Sequence, residues 1–271
     1  MRIDYIRITL VLALILGAVP AFGQNEPQMI TIPLSKPGEQ LTLEIGMLSA
    51  RIEVIGEDRA DAEFAVTVED GERKIVTPSG TKSLKGGSYA LEVEEEDNYI
   101  SVDTDWRANK VTVVARIPRN ADLDLSTTED GEIIVSNISG NLRLENINGP
   151  ITATNISGSV IAESVNEDID VSFTSLDGDS ATSFASINGD LTVGLPAKAG
   201  VQLHIDSDRG EIFSDFEVDV QPTKPVIERE DDRGGVAVRI ESVIVANVNG
   251  GGPVIKLKTL NGDIQIRKSG N

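Results

Sequence analysis

Apolar and polar residues alternate along most of this chain, and regularly spaced glycines divide the alternation into short units between residues 131 and 195. Gly131, Gly140, Gly149 and Gly158 lie nine residues apart. An aliphatic residue follows each of them at the second position, and another follows at the fourth. Because residues two apart share one face of a strand, this pattern predicts a series of short strands with one buried face.

The repeated unit has the consensus h-[NSD]-G-x-h-x-h-x-[NS]-h, where h is an apolar residue, and later units are eleven residues long. Two further copies occur at 208–213 and 260–267. Asn-Gly and Ser-Gly favour turns, because glycine adopts positive φ without steric cost and Asn or Ser bonds to the local backbone. Each unit is therefore predicted to be a turn followed by a strand.

A unit of nine or eleven residues is too short to fold alone, so it must bury its apolar face against its neighbours. Two units per coil would give coils of about 18 to 22 residues, as in a two-sided roll. We therefore predict an all-β protein built as a single-stranded β-solenoid. Such coils would stack Asn137 on Asn155 and Asn148 on Asn166.

A meander of β-hairpins is the alternative, since Asn-Gly between alternating apolar runs is also a strong hairpin signal. The solenoid is favoured because a third apolar residue ends each unit and would fix a bend at the same point. The residues of this third column are Ile138, Ile147, Ile156, Val165, Leu176 and Ile187.

The sequence predicts three parts. Residues 1–23 place Arg2 and Arg7 around the start of an apolar run that ends in small residues, which predicts a signal peptide. Residues 24–110 predict an N-terminal β-rich portion of the solenoid or its cap, and residues 111–271 carry the repeats. The mature chain is predicted to be exported, without a transmembrane segment, to the periplasm, the cell surface or the medium.

Composition narrows the range of functions. Asp and Glu number 44 against 24 Lys and Arg, which gives a formal charge of −20. This charge opposes binding to nucleic acid or to anionic membranes. The chain has no Cys, so disulfides, thiol catalysis and thiolate metal sites are excluded. Aromatic residues make up only 4% of the chain, which is low for a surface that stacks on sugars.

Three features occur in a fixed order: the segment VVARIPRNADL at 113–123, the repeat array, and the ending GGPVIKLKTLNGDI at 251–264. Together they resemble the bacterial DUF4097 family, whose members are β-strand-repeat candidate adhesins. The likeness covers 111–268 well and 41–68 more weakly. It implies a β-helical envelope or secreted protein with a non-catalytic role, and it supplies no catalytic residues.

Two turns depart from the consensus. Glu167 replaces the turn glycine in one, and Ser180 replaces the usual aliphatic residue after Gly178 in the other. We expect these two turns to be distorted or to mark a change of register.

Side chains suited to catalysis are few. His204 is the only histidine, and Asp206 lies two residues away on the same predicted strand face. Alternating strands produce such pairs freely, so an ordinary strand histidine is the favoured interpretation. The sequence contains no nucleophile-elbow, zinc-protease or phosphate-loop motif. It therefore favours a protein that is not an enzyme.

A polysaccharide lyase or hydrolase on a β-helix is the enzymatic alternative, and it would need convergent carboxylates on one outer face. The predicted outward positions are chemically mixed. They are Ile134, Thr152 and Asp170 on one side and Arg143, Ile161 and Ala181 on the other. Such columns predict a bland, partly apolar surface and not a catalytic cleft.

Calcium is the one cofactor hypothesis, because acidic residues cluster and carboxylates suit this cation. The clusters are at 94–97, at Asp103 and Asp105, and at Asp168 and Asp170. The repeats lack the paired glycines and regular aspartates of calcium-binding nonapeptide rolls. We therefore predict no cofactor and keep a calcium-binding repeat protein as an alternative.

One predicted loop combines an aromatic ring, a cation and carboxylates: Asp103, Asp105, Trp106 and Arg107. Loops on a rigid scaffold often carry recognition, so this loop is the predicted partner contact. Packing of Trp106 over the end of the solenoid is an equally good interpretation. The sequence thus predicts a non-catalytic, surface-presenting adhesin or envelope scaffold, whose envelope, glycan or protein partner it does not identify.

Overall fold

The chain is all-β, as predicted. The computed structural model describes residues 27–68, 91–104, 111–176, 178, 180–222, 226–232, 235–241 and 243–269. Across these residues every regular element is a β-strand. None of them belongs to a helix with the length and apolarity needed to cross a bilayer.

The strands are numbered in chain order. They are β1 (Gln28–Pro33), β2 (Leu41–Glu57), β3 (Asp61–Val68), β4 (Leu91–Glu96), β5 (Tyr99–Thr104), β6 (Val111–Pro118), β7 (Ala121–Glu129), β8 (Ile133–Ser136), β9 (Ser139–Asn146), β10 (Ile151–Ser164), β11 (Ile169–Leu176), β12 (Thr182–Ser186), β13 (Leu191–Leu195), β14 (Val201–Ser207), β15 (Ile212–Ser214), β16 (Val218–Gln221), β17 (Val226–Asp232), β18 (Gly235–Glu241), β19 (Ile244–Val248), β20 (Val254–Thr259) and β21 (Ile264–Lys268).

Hydrogen bonding arranges these strands as two stacks of rungs. The long strands β2 and β10 bend at a corner and contribute one half to each stack. The first stack runs β4, β5, β2, β7, β9, β10, β12, β20, β14, β19, β16. The second stack runs β1, β3, β6, β2, β8, β10, β11, β13, β21, β15.

Within the repeat array the strands pair in parallel with equivalent strands one coil away. Ile151 lies opposite both Ile133 and Ile169, at offsets of 18 residues. Ile169 lies opposite Leu191, at an offset of 22 residues. These offsets confirm the predicted length of two units per coil. A hairpin meander would pair its strands antiparallel, so that alternative is wrong for the array.

The predicted strand columns form the core between the two stacks. The inward residues of five consecutive units are at most 2% exposed: Ile133, Val135, Leu142, Leu144, Ile151, Ala153, Val160, Ala162, Ile169 and Val171. Where the coil lengthens, Phe173 and Phe184 pack edge to face with ring centroids 6.4 Å apart. Burial of apolar surface, at about 25 cal/mol per Å², is the main favourable contribution to such a core.

The order of the rungs departs from the order of the sequence at both ends. β2 lies between β5 and β6 on one side and β7 and β8 on the other. In the same way, β20 and β21 lie between β12 and β13 on one side and β14 and β15 on the other. Segments distant in sequence therefore complete the array at both ends.

Antiparallel strands lie at three of the four ends of the stacks. β3 pairs antiparallel with β6, β1 with β3, and β4 with β5 at one end of the array. β19 pairs antiparallel with β14, and β16 with β19, at the other end of the first stack. The second stack ends there in β15, which pairs in parallel with β21.

Close approach of neighbouring backbones, and not positive φ, explains most of the turn glycines, so the predicted reason is wrong. A Cβ on Gly149 would lie 1.5 Å from the carbonyl oxygen of Gly131 in the next coil. Among the array glycines described, positive φ occurs at Gly158 (140°). The non-glycine residues Asn137 and Asn155 also have positive φ, at 58° and 57°.

The two turns that depart from the consensus behave differently. Around Glu167 the offset between coils remains 18 residues, so this turn does not change the register. Around Gly178 the offset changes from 18 to 22 residues, which confirms the predicted change of register. Ala181 is exposed, as predicted, but it precedes β12, and the extra residues place Ser183 and not Ala181 opposite Ile161.

The segment from Gln221 to Gly235, which contains Pro222 and Pro225 and a charged run, includes a strand. β17 pairs antiparallel with β18 in a separate two-stranded sheet. The acidic run from Glu228 to Asp232 has no apolar alternation. Its strand structure depends on backbone pairing with β18, so the sequence pattern does not predict it.

Candidate functional site

Each coil turns twice between the two stacks, and the two corners differ although their sequences align. The closed corner is formed by Asn137 and Ile138 in one coil and by Asn155 and Ile156 in the next. The left-handed asparagines interrupt the strand alternation, so the isoleucines after them point inward and are 1% and 0% exposed. Asn155 Nδ2 donates to Asn137 Oδ1 at 3.1 Å, which confirms this predicted stack.

The open corner is formed in four successive coils. Its residues are 146–149, 164–167, 186–189 and 259–262. Here the alternation continues into the turn: a polar residue occupies the inward position, and the apolar residue after it points outward. The predicted third apolar column is therefore split into a buried half at the closed corner and an exposed half at the open corner.

The exposed half is a continuous row, which we call the apolar ladder: Ile147, Val165, Ile187 and Leu260. Ile147, Ile187 and Leu260 are 43%, 45% and 42% exposed. Val165 is half-buried between its neighbours. Because adjacent rungs lie about 4.8 Å apart, the ladder is about 14 Å long.

A groove of about 870 Å³ follows the open corner along the stack. The apolar ladder forms one side of it, and outward residues at the strand ends form the other. In rung order this second side, the charged row, is Ser126, Glu145, Glu163, Ala185, Lys258 and Asp206. Small polar side chains line the base of the groove: Thr127, Asn146, Ser164, Ser186, Thr259 and Ser207.

Four asparagines stack beside the apolar ladder. Asn166 Nδ2 donates to Asn148 Oδ1 at 2.7 Å, which confirms the second predicted stack. Asn188 Nδ2 donates to Asn166 Oδ1 at 2.9 Å, and Asn261 Nδ2 donates to Asn188 Oδ1 at 2.8 Å. Arg209 Nη1 donates to Asn261 Oδ1 at 3.3 Å and closes the row. These bonds fix the geometry of the corner from coil to coil.

Hydroxyl groups inside the open corner bind its backbone. Ser186 Oγ accepts from the Gly189 N–H at 2.9 Å, and Thr259 Oγ1 accepts from the Gly262 N–H at 3.2 Å. Each hydroxyl satisfies a turn N–H that has no strand partner. A polar residue is therefore preferred at this inward position, and the apolar residue takes the outward one.

Carboxylates also join successive coils. Asp168 Oδ1 accepts from the Asp190 N–H, and Asp190 Oδ1 accepts from the Asp263 N–H, both at 2.8 Å. Within the described residues, no group of three or more His, Asp or Glu side chains is placed to hold a metal ion.

Three members of the charged row, Glu145, Lys258 and Asp206, form ion pairs within the chain. Lys258 Nζ lies 2.8 Å from Asp206 Oδ2, and Arg143 contacts Glu145. His204 Nε2 lies 3.1 Å from Gln202 Oε1. Since Asp206 is bound to Lys258, the structure favours the interpretation of His204 as an ordinary strand residue.

Two carboxylates on the outer faces have perturbed pKa values. Desolvation raises the pKa of Asp170 in the second stack, although Arg267 lowers it. Desolvation also raises the pKa of Asp124 in the first stack, against the opposing effect of Arg143 and with a further increase from Glu44. The two carboxylates lie on different stacks, so they do not form the convergent pair that a glycosidase requires.

The acidic cluster at 94–97 has a structural role. Glu95 accepts hydrogen bonds from Ser35 N (3.0 Å), Ser35 Oγ (2.8 Å) and Asn98 N (2.9 Å). Partial desolvation raises the pKa of Glu95, but these bonds outweigh it and lower the pKa. Asp97 and Asn98 have positive φ and form the tight turn between β4 and β5. The cluster therefore ties this hairpin to the segment before β2.

The predicted partner loop falls largely outside the described residues. Asp103 lies in β5, where its backbone is opposite Glu92 of β4. Asp105, Trp106 and Arg107 lie outside the described residues, so their role stays a prediction.

The groove was missed because the sequence pattern treats all members of the third apolar column alike. The residue before each member is polar at both corners, so it gives no clear signal. Asn146, Ser164, Ser186 and Thr259 precede the apolar ladder at inward positions. At the closed corner Asn137 and Asn155 precede the isoleucines, and only their left-handed φ reverses the outcome.

Comparisons with known proteins give distant likenesses in structure. A putative cell adhesion protein from Clostridium sporogenes matches with a TM-score of 0.45, 12% identity, and coverage of 90% of this chain and 100% of that one. A putative adhesin from Bacteroides fragilis matches with a TM-score of 0.39, 12% identity, and coverage of 89% and 97%. A putative lipid binding protein from Parabacteroides distasonis matches with a TM-score of 0.30, 12% identity, and coverage of 90% and 97%.

Neither a protein-family model nor a curated protein matches this chain. Membership of the DUF4097 family therefore stays a prediction from the segments quoted above.

Proposed function

We propose that this chain is an exported, non-catalytic interaction protein, an adhesin or envelope scaffold, built as a β-solenoid that presents a docking groove at its open corner. The observation that carries the proposal is the apolar ladder. Three of its four side chains are more than two-fifths exposed, in a repeat whose inward columns are buried. Contiguous exposed apolar residues with a polar rim are typical of interaction sites.

The surroundings of the ladder support a binding role. Stacked asparagine amides on one side and the charged row on the other give the groove a polar rim around an apolar strip. Hydrogen bonds between coils hold both sides of the groove in place, so its side chains lose little conformational entropy on binding. Preorganisation of this kind improves affinity by lowering the entropic cost of association.

Export rests on the predicted signal peptide at 1–23, and the adhesin or scaffold role agrees with the resemblance to the DUF4097 family. The carboxylates with raised pKa, Asp124 and Asp170, are separated on different stacks. This placement favours a binding protein over the alternative of a polysaccharide lyase or hydrolase.

The test is a binding screen of the mature chain against glycans, envelope components and proteins, run beside a panel of hydrolase and lyase substrates. We expect saturable binding without turnover, and at least tenfold weaker binding for Ile187→Gln, which changes the centre of the ladder. Ile134→Gln is the matched control, because Ile134 is half-buried on the outer face of the second stack, away from the groove. Turnover of any substrate, or equal effects of the two variants, would contradict the proposal.

A further inference from the structure

We infer that the partner of the groove is a second copy of this chain, docked with its stack axis reversed. The inference rests on the proposed function, because it names the occupant of the same groove. It follows from the order of residues in three parallel rows at the open corner. When a second copy is turned end over end, each row faces the same row in reverse order, and the facing side chains are complementary.

The three rows share six rungs. The first is the charged row. The second is the apolar ladder extended by one residue at each end: Thr128, Ile147, Val165, Ile187, Leu260 and Asp208. The third contains the stacked asparagines and the residues that continue them: Glu129, Asn148, Asn166, Asn188, Asn261 and Arg209.

A two-fold axis parallel to the strands, passing between the third and fourth rungs, would place each row on its own reversed copy. This is the isologous arrangement of a symmetric dimer. In the apolar ladder it sets Ile147 opposite Leu260 and Val165 opposite Ile187, so each side chain of the ladder meets another apolar side chain. Burial of these side chains against each other removes the apolar strip from water.

Charges match in the same arrangement. Glu145 of one copy lies opposite Lys258 of the other, and Glu129 lies opposite Arg209. Each pair occurs twice because of the symmetry, and Lys258 and Glu145 form it in exchange for, or in addition to, their contacts with Asp206 and Arg143 in the same chain. Asp206 and Asp208 face the hydroxyl-bearing rung at the far end of the partner, where Ser126 and Thr128 can donate hydrogen bonds.

Two other arrangements of two copies bring like charges together. With the stacks parallel and the two-fold axis on the charged row, Glu145, Glu163 and Lys258 each meet an identical charge. A shift of the reversed copy that moves the axis onto Ala185 pairs Glu163 with Lys258 but sets Glu145 opposite Asp206. Like-charge contact across an interface costs several kcal/mol, so the charged row favours the reversed, centred arrangement over these two.

Overall charge acts against this dimer, since two chains of −20 repel each other. We therefore expect a concentration-dependent equilibrium and not a permanent dimer. The charge pairs decide how two copies are oriented, and the apolar ladder supplies the attraction.

The test is a charge-reversal exchange on the mature chain, with mass measured by sedimentation velocity over a concentration series. Glu145→Lys and Lys258→Glu each place like charges opposite one another twice, and each variant alone should dimerise at least tenfold more weakly than the parent. An equimolar mixture of the two variants restores both pairs in a mixed dimer, so mixing should recover the parent affinity. Lys198→Glu, exposed in the turn between β13 and β14 and away from the open corner, is the control and should dimerise as the parent does.

Circular dichroism of each variant shows whether it is folded, and recovery on mixing is itself evidence of two folded partners. A parent that stays monomeric throughout the series would overturn the inference, as would dimers unaffected by either reversal or a mixture no stronger than its components. Saturable binding of a different partner by a monomeric parent, lost in Ile187→Gln, would overturn self-association while leaving the proposed function intact. Turnover in the substrate panel would instead contradict the proposed function.

Discussion

The closed and open corners have the same apolar consensus and opposite exposure. Ile138 and Ile156 at the closed corner lie in the core, whereas Ile147 and Ile187 at the open corner lie in solvent. The difference comes from one backbone torsion angle. Asn137 and Asn155 take a left-handed φ and shift the alternation by one residue, whereas the open corner keeps the alternation of the strand before it.

This difference separates two roles that the repeat has to fill. At the closed corner the apolar residue adds to the core, and the asparagine stack outside it stabilises the turn. At the open corner a polar side chain inside binds the turn backbone, and the apolar residue becomes available to a partner. An apolar residue that recurs in every unit therefore need not be a core residue in every unit.

The largest expected contrast comes from removing the same side chain at each corner. Ile156→Ala leaves a cavity at a fully buried position and should lower the free energy of unfolding by about 2 to 5 kcal/mol. Ile147→Ala removes a side chain that is 43% exposed and should cost no more than about 1 kcal/mol. Urea denaturation of both variants measures the contrast.

Ile151→Ala, in the middle of a strand, provides the reference for a fully buried isoleucine. If Ile147→Ala were as destabilising as Ile156→Ala, the apolar ladder would be part of the core and the groove would not exist as described.

A second contrast concerns the glycines. Gly149→Ala would bring a Cβ within 1.5 Å of the Gly131 carbonyl oxygen, so neighbouring coils must move apart. Overpacking of this kind costs about 1 to 3 kcal/mol or more. Gly178→Ala is the matched control, because the nearest atom to its Cβ would be Pro253 Cγ at 3.6 Å. Thermal melts that showed equal losses for the two variants would argue against the close stacking of coils at the open corner.

The third contrast concerns the difference in stability between alanine and glycine variants, which should have opposite signs in the two asparagine rows. At Asn155, whose φ is 57°, alanine should be about 1 kcal/mol less stable than glycine, because a Cβ is strained in the left-handed region. At Asn166, which is not among the described residues with positive φ, glycine should be less stable than alanine by about 0.5 to 1 kcal/mol. Comparing alanine and glycine at each site cancels the loss of the amide hydrogen bond.

The same order of stability at both positions, alanine above glycine or the reverse, would contradict the torsional explanation of the two corners. Denaturant unfolding of the four variants is sufficient to decide.

Much of the array could be predicted from the sequence, because its information is local. Alternation fixed the inward columns, and the spacing of units predicted the coil length and both asparagine stacks. The exposure of Ile147 and Ile187 could not be obtained in this way, since it depends on φ at the residue beside them. The role of the glycines was also hidden, because the carbonyl that excludes a Cβ belongs to another coil.

The order of the rungs is the least predictable feature. β2 and β20 enter the stack between strands that follow one another in sequence. Parallel strands with similar apolar faces have nearly the same sequence pattern. The periodicity therefore predicts that the units stack, but it does not predict which unit is the neighbour of which. The groove could not be predicted for the same reason, because Lys258 and Leu260 line it only when β20 lies between β12 and β14.

The smallest expected effect is the response to metal removal, which tests whether the open corner is held together by its own hydrogen bonds. Asp168 and Asp190 each accept a backbone N–H from the next coil at 2.8 Å, so these carboxylates bridge coils without an ion. We expect the strand signal in circular dichroism to persist in excess chelator, and the melting temperature to be almost unchanged when calcium is restored. A site saturated at 100 times its dissociation constant would add only about 2.7 kcal/mol. Loss of the folded signal in chelator, recovered by calcium and not by magnesium, would make the chain a metal-dependent repeat protein, because the stacking energy at the open corner would then come from bound ions.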